Sequence, residues 1–323
     1  MEPLVSIIIP CFNAEEFISD AINSALQQTY PAVEVIVIDD GSTDGSLDII
    51  KSSGNRIRWK TGPNRGGNAA RNRGIELARG DLIQFLDADD LLHRDKLEIQ
   101  VPIAMQDDQV ITYCDYEYRD LRTSELIHVH SKPNGYKNSL QFVLNEERLT
   151  ISAPLHWRKT LLGVGGFREH LRCGQEYDLH LRLVAQGLSF KHVDRTLFTV
   201  RRRGGSVSSD YCKVLLQHEE ILSNLVQLMR QDKRLSPKHA RAIAGKFASN
   251  ARMLLRFGQG KIARRYFAEA RKLDAQGGID IAYSRGARIC RAAVGARMTE
   301  WLVCLSRKFR KPFRNNDREI GVA

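Results

Sequence analysis

The stretch VSIIIPCFNAEEFISDAINSALQQTYPAVEVIVIDDGSTDGS, residues 5–46, decides the fold. Val5–Ile9 is a short apolar run, rich in β-branched residues and closed by Pro10, the pattern of a strand buried on both faces. From Ala14 to Gln28, Phe17, Ala21, Ile22, Ala25 and Leu26 recur at helical spacing, so a helix follows that strand. Val33–Ile38 repeats the buried-strand pattern. It ends in the turn Asp39-Asp40-Gly41-Ser42, and Thr43-Asp44 then leads into a helical run over Ser46–Lys51.

The same alternation continues outward. Ile57–Lys60 is a third short strand, Gly62–Gly67 is glycine-rich, Asn68–Ala78 reads as a helix, and Leu82–Leu86 is a buried strand running into Asp87-Ala88-Asp89-Asp90. Strands alternating with helices predict an α/β fold, a mostly parallel central sheet with helices on both faces. Ligands bind such sheets outside the carboxyl ends of the strands, where the acidic and glycine clusters fall. Further on, Leu97–Met105 and Asn138–Asn145 read as helices, Val110–Tyr118 as a strand, Gly174–Gln186 as a helix and Arg201–Ser209 as a polar loop. After Asp210 the chain becomes helical: Val214–Met229, then Ala240–Phe257 and Lys261–Leu273 as a hairpin resembling a single tetratricopeptide unit. The expected division is 1–208 as the α/β domain, with 1–90 as its ligand-binding half and 91–208 as the other half, followed by a helical basic region, 209–323.

Composition narrows the class. The 323 residues are 42% hydrophobic and 27% charged, as in an ordered globular chain. The six cysteines form no CxxC pair, which disfavours zinc-site and disulfide-scaffold readings and suits free thiols in the cytoplasm. The N-terminal apolar run lacks a basic flank and ends at Pro10, too short for a signal peptide or a spanning helix. The net charge of +11 is concentrated at the end: residues 241–323 hold 19 Lys and Arg against 6 Asp and Glu. A general nucleic-acid-binding role is a poor account of the remainder. Met298, Trp301, Leu302, Leu305 and Phe309 recur at three- and four-residue intervals among basic residues. That is the pattern either of a helix lying peripherally on an anionic membrane or of one packed on protein.

Carboxylates at the end of an apolar strand are costly unless solvated or bound to cations. Asp87, Asp89 and Asp90 are hard oxygen donors suited to Mg²⁺ or Mn²⁺, and a solvated helix-capping turn is the alternative reading. A second acidic turn, Asp39-Asp40 with Asp44, falls at another strand end and favours the cation reading. Gly62-Pro63-Asn64-Arg65-Gly66-Gly67 lacks the P-loop lysine, and no GxGxxG follows the first strand, which demotes a P-loop ATPase and a nicotinamide dehydrogenase. Arg65, Arg71 and Arg73 bring positive charge near the acidic rim.

Residues 5–46, together with NRGGNAARNRGIELARGDLIQFLDADD (64–90) and GQEYDLHLRLVAQG (174–187), resemble the inverting family 2 glycosyltransferases of GT-A fold. The resemblance spans about residues 4–208. It implies transfer of a single sugar from a nucleotide diphosphate sugar, most simply a UDP-sugar, to a hydroxyl of a glycan or lipid-linked acceptor, as in surface polysaccharide or glycoconjugate synthesis. By position, Pro10, Asn13 and Glu15 would line the nucleotide pocket, Asp40 with Asp39 would address the base, and Arg71 would lie by the base or diphosphate. Asp87 would address ribose and metal, with Ala88 beside it in the nucleotide site, and Asp89 would ligate Mn²⁺ or Mg²⁺. Glu176 matches the position of the catalytic base, where relatives usually carry aspartate, and Asp178 is the fallback. Arg203 stands where many relatives place a histidine; arginine is no metal ligand but can neutralise a diphosphate, so metal dependence would be weaker. His192 is an alternative ligand, and His180 reads as a satisfied core histidine. The absence of QxxRW argues against a processive synthase. The rival readings are a nucleotidyltransferase and a non-catalytic sugar-nucleotide-binding protein.

Overall fold

The computed structural model describes residues 2–131, 138–145, 149–202 and 211–275, then 277, 279–283 and isolated positions up to Thr299. Contacts divide the chain into two units, Met1–Ser206 and Val207–Ala323.

The first unit opens with β1 (Val5–Cys11), α1 (Ile18–Leu26), β2 (Val33–Asp39), α2 (Ser46–Ser52), β3 (Arg58–Thr61), α3 (Gly67–Leu77) and β4 (Leu82–Phe85). It continues with β5 (Leu91–Leu92), α4 (Lys96–Ala104), β6 (Val110–Asp120), β7 (Leu126–His130), α5 (Ser139–Asn145), β8 (Pro154–Trp157), α6 (Arg158–Gly163), α7 (Gln175–Ala185) and β9 (Ser189–Arg202). These strands form one sheet in the order β3-β2-β1-β4-β8-β6-β9-β5, with β7 paired to β6. β3, β2, β1 and β4 run parallel. β8 is antiparallel to both β4 and β6. β9 then runs parallel to β6.

The parallel half follows from its composition. Ile7, Ile8 and Ile9 of β1 and Ile36, Val37 and Ile38 of β2 are buried on both faces. Each such side chain withdrawn from water contributes about 1.5–3 kcal/mol. One face packs Ile8, Ile38, Ile75, Phe85, Ile111, Phe167, Leu179 and Leu183 into a core shared by α3 and α7. α3 reaches the sheet through Gly74, where a Cβ would lie 2.3 Å from Cγ2 of Ile8. The opposite face buries Lys96 of α4, whose ammonium donates to Gln100 and to the carbonyl of Ala153 (3.1 Å) beside Cys114.

The expected strands and helices of residues 5–90 are present with ends shifted by a few residues; α1 starts later than Ala14 because residues 13–16 join a second loop instead. β5, β7, β8 and β9 carry too little periodicity to be read in advance. β9 also overturns part of one expectation: Arg201 and Arg202 belong to a strand, not to a polar loop, because they pair with Arg119 and Asp120 of β6. Residues 203–209 lie outside the described residues.

The second unit contains α8 (Tyr211–Gln231), α9 (Pro237–Arg256) and α10 (Gly260–Leu273). Ser236 caps α9, its hydroxyl accepting from the His239 amide, and Pro237 occupies the first turn, where its missing N–H costs nothing. Phe247 of α9 meets Tyr266 of α10 edge to face at 5.7 Å, and the Tyr266 hydroxyl donates to the carbonyl of Leu215 in α8. The amphipathic run after Met298 lies outside the described residues apart from Met298 and Thr299, and among the described residues no helix is long and apolar enough to cross a membrane.

Because Ile8 is wholly enclosed, Gly74→Ala is expected to overpack the α3–β1 contact and lower unfolding free energy by about 1–3 kcal/mol, read from urea denaturation midpoints at unchanged m-value.

Candidate active site

The carboxyl ends of β1, β2 and β4 open onto a cleft of about 320 Å³, lined among others by Pro10, Phe12, Asn13, Phe17, Asp40, Arg71, Asp87, Ala88 and Asp89. Its walls are loops stitched to one another. Asn13 sits in the left-handed region (φ 49°), which asparagine tolerates better than most residues. There its Oδ1 accepts from the Thr43 amide at 2.8 Å while Ser42 Oγ accepts from the Asn13 amide at 3.0 Å. Ser46 Oγ accepts from the Ala14 amide at 2.8 Å, fastening the loop after β1 to the start of α2.

The acidic residues of this rim do different work. Asp40 is held at 2.9 and 2.7 Å by the amides of Arg65 and Gly66 in the glycine-rich turn, and it lines the cleft. Asp39 is buried, accepting from the Ser42 amide (3.2 Å) and the Thr61 hydroxyl (2.5 Å). Glu15 accepts from the Gly45 amide at 2.6 Å. Neither Asp39 nor Glu15 is among the lining residues. In the structure their oxygens accept from two amides and a hydroxyl of neighbouring segments and hold these turns.

At the end of β4, Asp87 accepts from Arg71 at 2.6 Å. Arg71 is buried under the cleft, its guanidinium 5.6 Å above the Phe167 ring. Burial alone would weaken its proton affinity, but the charges of Asp87 and Glu176 outweigh that and raise it. Asp89 is exposed at the mouth, and its carboxyl pKa is raised by partial desolvation and by Asp87. Asp90 is buried and raised further by the same causes with Asp89 added. The turn is clamped from behind by Arg201 of β9. Its guanidinium donates to the carbonyl of Asp89 (2.5 Å), pairs with Asp20 (2.7 Å) and lies 5.4 Å over the ring of Phe17. Arg65 and Arg73 are engaged elsewhere, Arg65 with Glu169 at 2.9 Å and Arg73 with the carbonyl of Thr61 at 3.2 Å.

Gly174, at φ 67°, turns the chain into α7 and places Glu176 in the first helical turn. Glu176 is half-buried; desolvation raises its pKa and Asp87 adds to the rise, while Arg71 opposes it. Asp178 points elsewhere. Its carboxylate is buried between Arg168 (3.1 Å) and Arg182 (2.8 Å), so the fallback base is committed to an ion-pair network. His180 stacks on His156 in the core, centroids 5.7 Å apart.

His192 does not line the cleft. Its Nε2 lies 2.7 Å from Asp115, and with Asp194 these groups form a cluster within 4.8 Å on β6 and β9. His192 thus belongs to a group that could itself hold a metal ion. Arg203 lies outside the described residues. Phe12 and Phe167 were not singled out in the sequence, Phe17 was read only as a helix-face residue and Arg201 only as the start of a loop. Phe12 had a signal, an aromatic residue between a strand-closing proline and a loop asparagine, whereas the others depend on contacts distant in the chain.

A mostly parallel sheet with acid-rich strand ends and a glycine-rich turn defines a nucleotide-handling α/β enzyme domain of the GT-A kind. The family model for glycosyl transferase family 2 matches residues 6–162. A glycosyltransferase of Rickettsia typhi, described as uncharacterized, is 31% identical over 240 residues, 71% of this chain and 74% of that protein. The chain belongs to the family 2 glycosyltransferases and is a transferase. A likewise uncharacterized glycosyltransferase of Haemophilus influenzae is 42% identical over 144 residues, 43% of this chain and 58% of the relative, so the match spans little more than half of that protein. Chondroitin synthase of Escherichia coli is 31% identical over 218 residues, 64% of this chain and 30% of that protein. Among solved structures, Staphylococcus aureus TarS residues 1–349 superposes with a TM-score of 0.66 at 17% identity, covering 96% of this chain and 93% of TarS 1–349. Its complex with UDP-GlcNAc gives 0.57 at 16% identity, with coverage of 94% and 92%. At that identity the likeness is one of fold.

Truncating Asp178 strands two arginines, one of them buried. Asp178→Ala is expected to cost about 3–5 kcal/mol of stability by urea denaturation. Asp178→Asn, with no charge left for the arginines, is expected to fall in the same direction.

Proposed function

We propose that the chain is an inverting transferase that moves a single sugar from a UDP-sugar to a hydroxyl of a glycan or lipid-linked acceptor. The observation that carries this reading is the placement of Glu176 within electrostatic reach of the Arg71–Asp87 pair at the floor of the cleft. The UDP-GlcNAc complex of a fold neighbour supports the donor class, and the similarity to a chondroitin synthase supports a glycan acceptor.

In this reading Phe12, half exposed in the cleft wall, offers an apolar face to the base, and Asp40 with Asn13 stands beside it. Asp87 and Asp89 suit Mn²⁺ or Mg²⁺. Two hard carboxylates separated by one residue face an open cleft, and desolvation together with the charge of Asp87 raises the proton affinity of Asp89, which a bound cation would offset. Such an ion supplies Lewis acidity toward the departing diphosphate. Arg71 adds a fixed positive charge at the same place, and Arg203 would add another, which makes strict metal dependence unnecessary.

Glu176 takes the proton of the acceptor hydroxyl as that oxygen attacks the anomeric carbon from the face opposite the diphosphate. The bond from the anomeric carbon to the diphosphate oxygen breaks with its electron pair on the leaving group, and configuration inverts. A raised pKa makes Glu176 a stronger base than an exposed glutamate, yet it must be ionised to act. Activity is therefore lost as pH falls through a value above the ordinary glutamate range.

Calorimetry against UDP-, GDP- and dTDP-sugars, with Mn²⁺ and with chelator, is expected to show binding of the UDP class; no binding of any donor ends the proposal. Glu176→Gln is expected to retain donor affinity within a few-fold and to lose turnover by about 10²–10⁴-fold. The wild-type kcat profile should carry an acid limb above the usual glutamate range, and a limb near pH 4 would contradict the assignment.

A place on the cytoplasmic face of a membrane belongs to the same proposal, supported by the basic, amphipathic sequence after Met298. The full chain is expected to co-sediment with phosphatidylglycerol vesicles but not with phosphatidylcholine vesicles, and truncation after Ala296 should abolish it. Equal sedimentation with and without the tail removes this part.

A further inference from the structure

The segment that leads to Glu176, whose charge is felt by Arg71 and Asp87, is fastened to the helix that carries Arg71. Asn72 of α3 pairs both backbone groups of Phe167: its Oδ1 accepts from the Phe167 amide at 2.7 Å, and its Nδ2 donates to the Phe167 carbonyl at 2.8 Å. A side-chain amide thus does what a neighbouring strand would do. One turn earlier, Asn68 Nδ2 donates to the carbonyls of Arg168 (3.1 Å) and Leu171 (2.9 Å). The approach is close enough that a Cβ on Gly166 (φ 64°) would lie 2.4 Å from Asn72 Oδ1. On the other side of the segment, Arg182 of α7 donates to the carbonyls of Val164 (2.7 Å) and Gly166 (2.8 Å) while Asp178 holds its charge.

Phe167 links this clamp to the cleft. Its buried ring meets Phe85 of β4 edge to face at 5.4 Å and supports the guanidinium of Arg71, which pairs with Asp87. The backbone of the same residue begins the run that ends in Gly174 and Glu176. A single residue therefore sits between the diphosphate-facing charges and the chain segment bearing the carboxylate.

We propose that Asn72 is a positioning residue for the transfer reaction: by clamping Phe167 to α3 it fixes the separation of Glu176 from the Arg71–Asp87 pair. The proposal rests on Glu176 being the base. Asn72 lies outside the cleft lining and acts through Phe167. Misplacement of a reacting group by about 1 Å costs on the order of 10²-fold in rate, whereas donor contacts made by the loops after β1 and β2 are untouched.

The test uses the full chain and Asn72→Asp, which keeps the size and the Oδ1 acceptor but loses the Nδ2 donor. Gly166→Ala is a second variant that strikes the same clamp from the facing side. UDP release from UDP-glucose, UDP-galactose, UDP-GlcNAc and UDP-glucuronic acid gives kcat and KM, calorimetry gives UDP affinity, and amide hydrogen exchange is followed without substrate. The expected result is UDP affinity and donor KM within threefold of wild type, kcat lowered by about 10–100-fold, and exchange accelerated at residues 165–176 with β1, β2 and β4 unchanged. A kcat like that of wild type overturns the proposal, as does a loss of UDP affinity parallel to that of kcat or acceleration throughout the sheet. A wild-type chain that binds UDP but releases none from any donor overturns it too, through the base assignment. That failure is recognisable because it appears before any substitution is made.

Discussion

The ion pair between Arg71 and Asp87 is the contact on which the site depends. Three carboxylates, Asp87, Asp89 and Asp90, crowd the end of a wholly buried strand, and in two of them desolvation first and neighbouring charge second raise the proton affinity. A buried arginine 2.6 Å from the first offsets that charge without closing the cleft. Its own burial is tolerated because it gains a charge-assisted hydrogen bond, the field of Glu176 and the face of Phe167. The pair also ties α3 to β4 at the point where sheet ends and cleft begins. The donor side and the proposed base therefore share one electrostatic centre.

The surrounding polar network falls into two kinds. Carboxylates that close turns or bury arginines, namely Glu15, Asp39 and Asp178, have their oxygens occupied by amides, a hydroxyl or guanidinium groups of the chain itself. Asp87 and Asp89 line the open cleft, and Asp40 joins them there. Asp40 belongs to both kinds, since it lines the cleft while accepting from the amides of Arg65 and Gly66. Two carboxylates two positions apart on one helix, Glu176 and Asp178, meet different surroundings because helix geometry points them in different directions.

The parallel half of the fold was legible because its strands are buried on both faces, and such runs as Val5–Ile9 and Val33–Ile38 have few other uses. That Asp87–Asp89 follows a buried strand and that Glu176 lies in a helix was legible by position and residue type. In the mixed half α4, β6, α5 and α7 were legible too; β8 and β9 were not, since β8 is four residues long and β9 gains its partners from β6, some 80 residues earlier. The hydrogen-bond partners of Asp39, Glu15 and His192 were not legible for a common reason: a polar residue's partner is set by which donor or charge the fold brings to face it. For these three the facing groups are Thr61, Gly45 and Asp115, none of them adjacent in sequence. Arg201 was passed over in favour of its neighbour Arg203 because nothing local distinguishes one arginine in a run of three.

The antiparallel β8, inserted between β4 and β6, makes one continuous hydrogen-bonded sheet of what the sequence suggested were two halves. A sheet unbroken from β3 to β5 contains no hinge. The two ends of the sheet cannot swing together as the lobes of a kinase do. Adjustment of cleft width falls to the rim loops, and under the proposed function that places sugar selectivity in loop sequence.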